Sequence, residues 1–384
     1  MRSASLTLLS LLVLAGCTSM RRDAMAPPPA APMPTATMAT GPIPPALAPM
    51  NVRPLGPAPA WAPDIDPQML AVVEQLMSYE QPPLNTLTAF QARNEKSATN
   101  AVHDLFIKSG MQPMPPMVDI GHRVLRAGPP EGILVRTYTP LAPAPAGRPR
   151  PVVVYYHGGG WVIADLETYE AGAMALAAQT GAVVVSVAYR LAPENRFPTQ
   201  HEDAFAAYQW VTEHAAEIGG DANLIATAGE SAGGNLAVAV AMMAKQRGVR
   251  MPVHILSVYP IADGDTASPS YDRYAQAVPL GRAGMAWFFE QTLAAPADAR
   301  SPMISLTRAD LAGLPPTTIV NAEIDPLTSD GEELAAAMER AGVRVERRLF
   351  TGVTHEFFGM AAVLEQAAEA QAYAAGRLRT AFGR

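Results

Sequence analysis

Leu224-Ile225-Ala226-Thr227-Ala228-Gly229-Glu230-Ser231-Ala232-Gly233-Gly234 is the stretch that decides how this chain folds. Its first five residues form a short apolar run of the length of a buried strand, and residues 235–245 are rich in Ala and Met, as a helix is. Between them a Ser stands two positions from a Gly on each side, the composition of a strained strand-to-helix turn that holds a hydroxyl outward. Both Gly positions permit close backbone packing that a Cβ would block. Alone, G-x-S-x-G is a weak signal in a Gly-rich chain. His157-Gly158-Gly159-Gly160-Trp161, at the end of a second β-like run (152–156), makes the pair specific. A Ser before an Ala-rich helix also suits a plain N-cap, and that alternative stands beside the nucleophile reading.

A nucleophilic Ser needs a base, and the base an orienting acid. Of seven His, only His355 follows every plausible acid, and it sits just after the β-like run 343–350, on a loop at a strand's end. The acid candidates after Ser231 are Asp263, Asp265, Asp272, Asp298, Asp310, Asp325 and Asp330. Asp325 lies past the apolar run 318–322 and before Pro326, again at a strand's end, whereas Asp330 is placed to cap the helix that follows it.

His157-Gly158-Gly159-Gly160, Tyr189-Arg190-Leu191-Ala192-Pro193-Glu194, Gly229-Glu230-Ser231-Ala232-Gly233-Gly234, Asp325-Pro326-Leu327 and Gly352-Val353-Thr354-His355 together resemble the bacterial hormone-sensitive-lipase-like esterases, family IV of the lipolytic enzymes. The resemblance runs from about Pro63 to the C-terminus. It implies an α/β-hydrolase core with a helical cap, a Ser231, Asp325, His355 triad, and an oxyanion hole from the N–H groups of Gly158, Gly159 and Ala232. It also implies a preference for short and medium acyl esters. In that family the residue before the Ser is most often Asp or Thr; here it is Glu230, equally open to a structural or a catalytic role. His157 is a further candidate for supporting the site. The segment 190–197 is expected to close a loop near the site through turn and salt-bridge contacts.

Strand-like runs at 118–127, 133–138, 152–156, 182–188, 224–228, 254–259, 317–322 and 343–350 alternate with helical stretches such as 205–214 and 329–341. Repeated strand-helix-strand units give an α/β fold with a mostly parallel sheet covered by helices on both faces. The three triad candidates then fall at the C-terminal ends of strands, where open α/β sheets place their sites. Two segments stand outside the alternation, about 62–110 and 263–300, and by the resemblance they build the cap. Met285, Trp287, Phe288 and Phe289 in one, and Met69, Leu76 and Met77 in the other, either pack the cap on the core or line an acyl pocket.

The chain opens with Met1-Arg2, an apolar stretch at 6–14 and Leu14-Ala15-Gly16-Cys17, which looks like a bacterial lipobox. The apolar stretch is too short to span a bilayer, so residues 1–16 read as a cleaved lipoprotein signal peptide and Cys17, the single cysteine, as the lipid attachment point. Residues 18–60 hold twelve Pro and ten Ala, so 17–61 reads as a lipidated, polyproline-like tether with a reach of about 130 Å. Cell-envelope localisation is then expected, and because Thr18 is not Asp, the resemblance to other bacterial lipoproteins implies the outer membrane in a two-membrane cell. Residues 62–384 then form one hydrolase domain.

A net charge of −7 with 16% charged residues and no basic cluster argues against nucleic-acid binding. No metal or organic cofactor is expected, because no ligand set has the right spacing. The small-molecule partner is an ester, and the sequence leaves the oligomeric state open. The same fold could also serve as a binder without turnover or as an envelope lipoprotein; the intact Ser231, Asp325 and His355 argue for the enzyme.

Overall fold

A computed structural model describes residues 52–110, 116–144 and 147–384. The signal peptide, Cys17 and most of the tether lie outside the described residues. In chain order the elements are α1 (Pro67–Met77), α2 (Ala89–Ala92), α3 (Ala98–Lys108), β1 (Val118–Leu125), β2 (Ile133–Pro140), β3 (Arg150–Tyr156), α4 (Glu170–Thr180), β4 (Val183–Val187), α5 (Thr199–His214), β5 (Gly220–Glu230), α6 (Ala232–Arg247), β6 (Ile255–Val258), α7 (Pro269–Arg273), α8 (Arg282–Thr292), β7 (Thr317–Ile324), α9 (Thr328–Arg340), β8 (Val345–Thr354) and α10 (Glu365–Ala381).

The eight strands make one sheet in the order β1-β2-β4-β3-β5-β6-β7-β8, in which β2 alone runs against the others. Each βα connection to a neighbouring parallel strand leaves a helix on the sheet, so both faces are covered. Side-chain alternation along β3 shows the consequence: Val152, Val154 and Tyr156 enter a core shared with α5, α6 and α9, while Val153 and Tyr155 enter a second core shared with α4 and α10. All seven residues of β3 are buried, and each fully buried large apolar side chain contributes about 1.5–3 kcal/mol.

Strand ends lie where backbone pairing stops rather than where apolar character does. β8 runs to Thr354, past the apolar run, and delivers His355 directly from its last residue; β7 ends at Ile324, one residue before Asp325. The entry segment 52–61, assigned to the tether from composition, packs instead on the fold. Val52 and Trp61 lie against the second core, and Leu55 and Gly56 donate their N–H groups to Glu74 on α1 at 2.6 and 2.7 Å. Its prolines limit regular structure, and its few apolar side chains are enough to dock it.

Candidate active site

The turn from β5 to α6 is built as its glycines require. A Cβ on Gly229 would collide with the carbonyl of Gly233, and one on Gly233 with that of Tyr156. Ser231 sits between them at φ 59° and ψ −118°, a conformation costly for a residue with a Cβ and held by its surroundings. Its N–H donates to Val258 and its carbonyl accepts from Asn235 and Ile261, so β6 and α6 over-determine the turn. Ser231 occupies the N-cap position of α6 yet makes no capping bond. Its Oγ lies 2.9 Å from Nε2 of His355, whose Nδ1 lies 2.7 Å from Oδ2 of Asp325, and all three side chains are buried. Asp325 accepts a further bond from the N–H of Leu327, which orients the carboxylate. Burial opposes the charged imidazole, but the charge and hydrogen bond of Asp325 outweigh it, so the His355 pKa is raised above 6.5.

Asp330 does not cap the following helix, as its sequence position suggested. It lies inside α9, whose first turn begins at Thr328, and its Oδ2 accepts the N–H groups of Ala262 and Asp263 on the loop after β6. The helix starts three residues earlier than a cap at Asp330 implied, which places this carboxyl within its first turn. Burial raises its pKa well above the usual carboxylate range despite those two donors.

The glycine loop 158–160 lies beside Ser231. Gly159 has φ 88°, and a Cβ there would strike the Ile163 carbonyl; a Cβ on Gly158 would occupy the place of the Tyr169 hydroxyl. Among the described residues the N–H groups of Gly158 and Gly159 donate to no hydrogen-bond acceptor, and Ala232 is the first residue of α6, where an N–H has no intrahelical partner. His157 supports this loop from below. Its Nδ1 lies 2.8 Å from the Gly158 carbonyl, and its ring stacks on Tyr189 at 4.3 Å. Burial lowers its pKa to about 4, so it stands neutral near pH 7 and donates to that carbonyl through Nδ1–H.

Glu230 does not line the cavity that opens onto Ser231. Its carboxylate is fully buried and accepts from the hydroxyls of Tyr155 and Tyr259. A Cβ on Gly172 of α4 would collide with Oε1, so the extra methylene that distinguishes Glu from Asp fits because this position is Gly. Burial pushes the Glu230 pKa up to about 7, against the two tyrosine donors. The Tyr259 ring lies 4.7 Å from that of His355, so Glu230 reaches the imidazole through a side chain.

A cavity of about 540 Å³ opens onto Ser231 and His355. Its walls come from both segments outside the sheet: Leu76, Met77, Leu84 and Leu87 from one, Val278, Leu280 and Phe288 from the other. The two meet where Trp287 Nε1 donates to the Leu87 carbonyl at 3.0 Å. The apolar residues singled out from the sequence therefore divide. Leu76, Met77 and Phe288 line the cavity, whereas Met69, Met285, Trp287 and Phe289 are buried in the cores.

The segment 190–197 is an anchor. Arg190 pairs with Asp203 through two nitrogens, Glu194 with Arg93, and Arg196 holds the carbonyls of Glu290 and Leu293 at the end of α8. Sequence reasoning missed Tyr155, Tyr169, Tyr259 and Arg93. A buried Tyr in a strand gives no sign of the carboxylate it meets until strand register is known, and only Tyr155 carried a hint, by alternation along β3.

A family profile described as the alpha/beta hydrolase fold matches residues 153–359. Carboxylesterase NlhH of Mycobacterium tuberculosis is 41% identical over 236 residues, covering 60% of this chain and 74% of that protein. Ethyl acetate hydrolase of Pseudomonas putida is 37% identical over 239 residues, with 61% and 74% covered. Among solved structures, the hyperthermophilic esterase of Pyrobaculum calidifontis is similar with a TM-score of 0.74 at 35% identity, covering 83% of this chain and 98% of that one. With the sheet order and the turn at Ser231, these similarities identify the chain as belonging to the α/β-hydrolase fold family, and within it as a serine hydrolase of esters.

Proposed function

We propose that the protein is a carboxylesterase that cleaves short- and medium-chain acyl esters through Ser231, His355 and Asp325 by way of an acyl-enzyme. The observation that carries this reading is the unbroken chain of hydrogen bonds from the Ser231 hydroxyl through both nitrogens of His355 to Asp325. His355 takes the proton of Ser231 as Oγ attacks the ester carbonyl, and Asp325 fixes the tautomer and stabilises the imidazolium. The N–H groups of Gly158, Gly159 and Ala232 meet the developing oxyanion, at about 2.7–4 kcal/mol per donor. His355 then protonates the leaving alcohol and activates water to release the acid. Because the neutral imidazole is the base, turnover falls as pH drops through a value above 6.5.

The apolar walls that Leu84, Leu87, Leu280 and Phe288 give the cavity support the acyl preference, since they bound the chain that Ser231 can receive. The names of the relatives, an ethyl acetate hydrolase among them, point the same way. Ser231→Ala and His355→Ala should each cut turnover of a chromogenic butyrate ester by several orders of magnitude while leaving the melting temperature in place, and the double variant should be scarcely worse. Losses that multiply would show that the two residues do not act together, and would overturn the reading.

We also propose that Cys17 carries a lipid that attaches the enzyme to the cell envelope, a reading that rests on the lipobox and the lone cysteine.

A further inference from the structure

Six consecutive carbonyls of the glycine loop each accept a hydrogen bond. His157 O accepts from the Tyr189 hydroxyl at 2.8 Å, Gly158 O from His157 Nδ1, and Gly159 O from the N–H groups of Val162 and Ile163. Trp161 O accepts from the N–H of Ala192, and Val162 O from Nε of Arg93 at 2.8 Å. The remaining one, Gly160 O, accepts from the hydroxyl of Thr292 at 3.1 Å. Thr292 is wholly buried and is the last residue of α8. A helical Thr ordinarily returns its hydroxyl to the carbonyl one turn back; here it is sent across to another segment.

One turn earlier on the same face, Phe288 lies against the same glycine: a Cβ on Gly160 would run into its ring. Two side chains of α8 thus grip one peptide of the loop, and one of them, Phe288, is also a wall of the cavity. The other end of the grip is fixed, because the Thr292 carbonyl accepts from the N–H of Phe197 and Arg196 donates to the carbonyls of Glu290 and Leu293.

We propose that Thr292 is a positioning residue for the oxyanion site: α8 holds the Gly160 peptide and so aims the N–H groups of Gly158 and Gly159, making the helix that bounds the acyl cavity part of the machinery that stabilises the transition state. This rests on the reading of Gly158 and Gly159 as oxyanion donors. Thr292 is not among the cavity-lining residues, so its effect belongs to kcat and not to ground-state binding.

The test compares Thr292→Val, of the same shape without the hydroxyl, with Thr292→Ser, which keeps it, on a p-nitrophenyl butyrate series. Removing an oxyanion donor outright costs about 10²–10³ in kcat, so a donor left in place but misaimed should cost about tenfold or more. Val should show that fall with KM within about twofold, and Ser should recover most of it. A trifluoromethyl ketone of the same acyl length provides the second readout. Ser231 Oγ adds to its carbonyl carbon, the proton passes to His355 and the ketone oxygen becomes the oxyanion, so its affinity should fall with kcat/KM. Should Val lower the melting temperature sharply, the pair Thr292→Ala and Thr292→Ser carries the same comparison. Wild-type kcat in the Val variant, a change confined to KM, failure of Ser to recover, or ketone affinity unmoved would each overturn the inference. Ser231→Ala run in parallel separates the two layers. If it stays active the nucleophile reading fails; if it is dead while Thr292→Val is normal, only the role of Thr292 fails.

Discussion

Glu230 shows how a side chain can be adjacent to Ser231 in sequence and yet have its partners elsewhere. Its carboxylate is outside the cavity lining and is gripped by two phenols, one of which, Tyr259, lies against the His355 ring. Its pKa rises from 4.5 to about 7 because burial penalises the charge, with Glu356 adding to the rise and His355 opposing it. Between those values the native state holds a proton that the unfolded chain has released, so the wild type loses stability as pH climbs from about 5 to 8, on the order of 3 kcal/mol in all. Glu230→Gln has no charge to bury. Thermal melts of both proteins across that range should show the variant gaining steadily on the wild type, whichever is the more stable at pH 5. Parallel curves would mean that the carboxyl is ionised throughout.

At the scale of elements, the acyl limit should reside on α8. Phe288 both walls the cavity and packs on Gly160, so Phe288→Ala opens space while loosening the loop. Its profile over esters of increasing acyl length should shift toward longer chains, with a fall in kcat on short ones; an unshifted profile would put the limit on Leu84, Leu87 or Leu280 instead. The strands and the turn at Ser231 were legible in the sequence because apolar runs, flanking glycines and the strand-end positions of Asp325 and His355 are local signals. The grip of Thr292 on Gly160 spans 132 residues, and that of Tyr259 on Glu230 depends on the register between β5 and β6, so neither had a local trace. Asp330 misled for a related reason: as a helix-start residue it suited a cap, and only the loop after β6, folded against it, explains its inward turn.

For the whole molecule, composition carried the tether to residue 61, although Val52 and Trp61 dock on the fold, because proline content is blind to that docking. Among the described residues no helix is long and apolar enough to cross a membrane. Envelope attachment through Cys17 therefore makes a separable prediction. The full chain should fractionate with membranes and carry acyl mass on Cys17, Cys17→Ser should do neither, and a chain begun at Val52 should be as active on a water-soluble ester as the parent. An unmodified Cys17 in the intact mass would remove the anchor and leave the chemistry untouched. The entry segment has a mechanical meaning as well. The N–H of Asp66 donates to the carbonyl of Gly352 at 2.8 Å, three residues before His355. A pull applied at the start of the fold is resisted first by the bonds of Leu55 and Gly56 to Glu74. Beyond them the load passes through Asp66 into the strand that leads to His355, so tension at this end of the fold arrives beside that imidazole before it reaches the rest of the sheet.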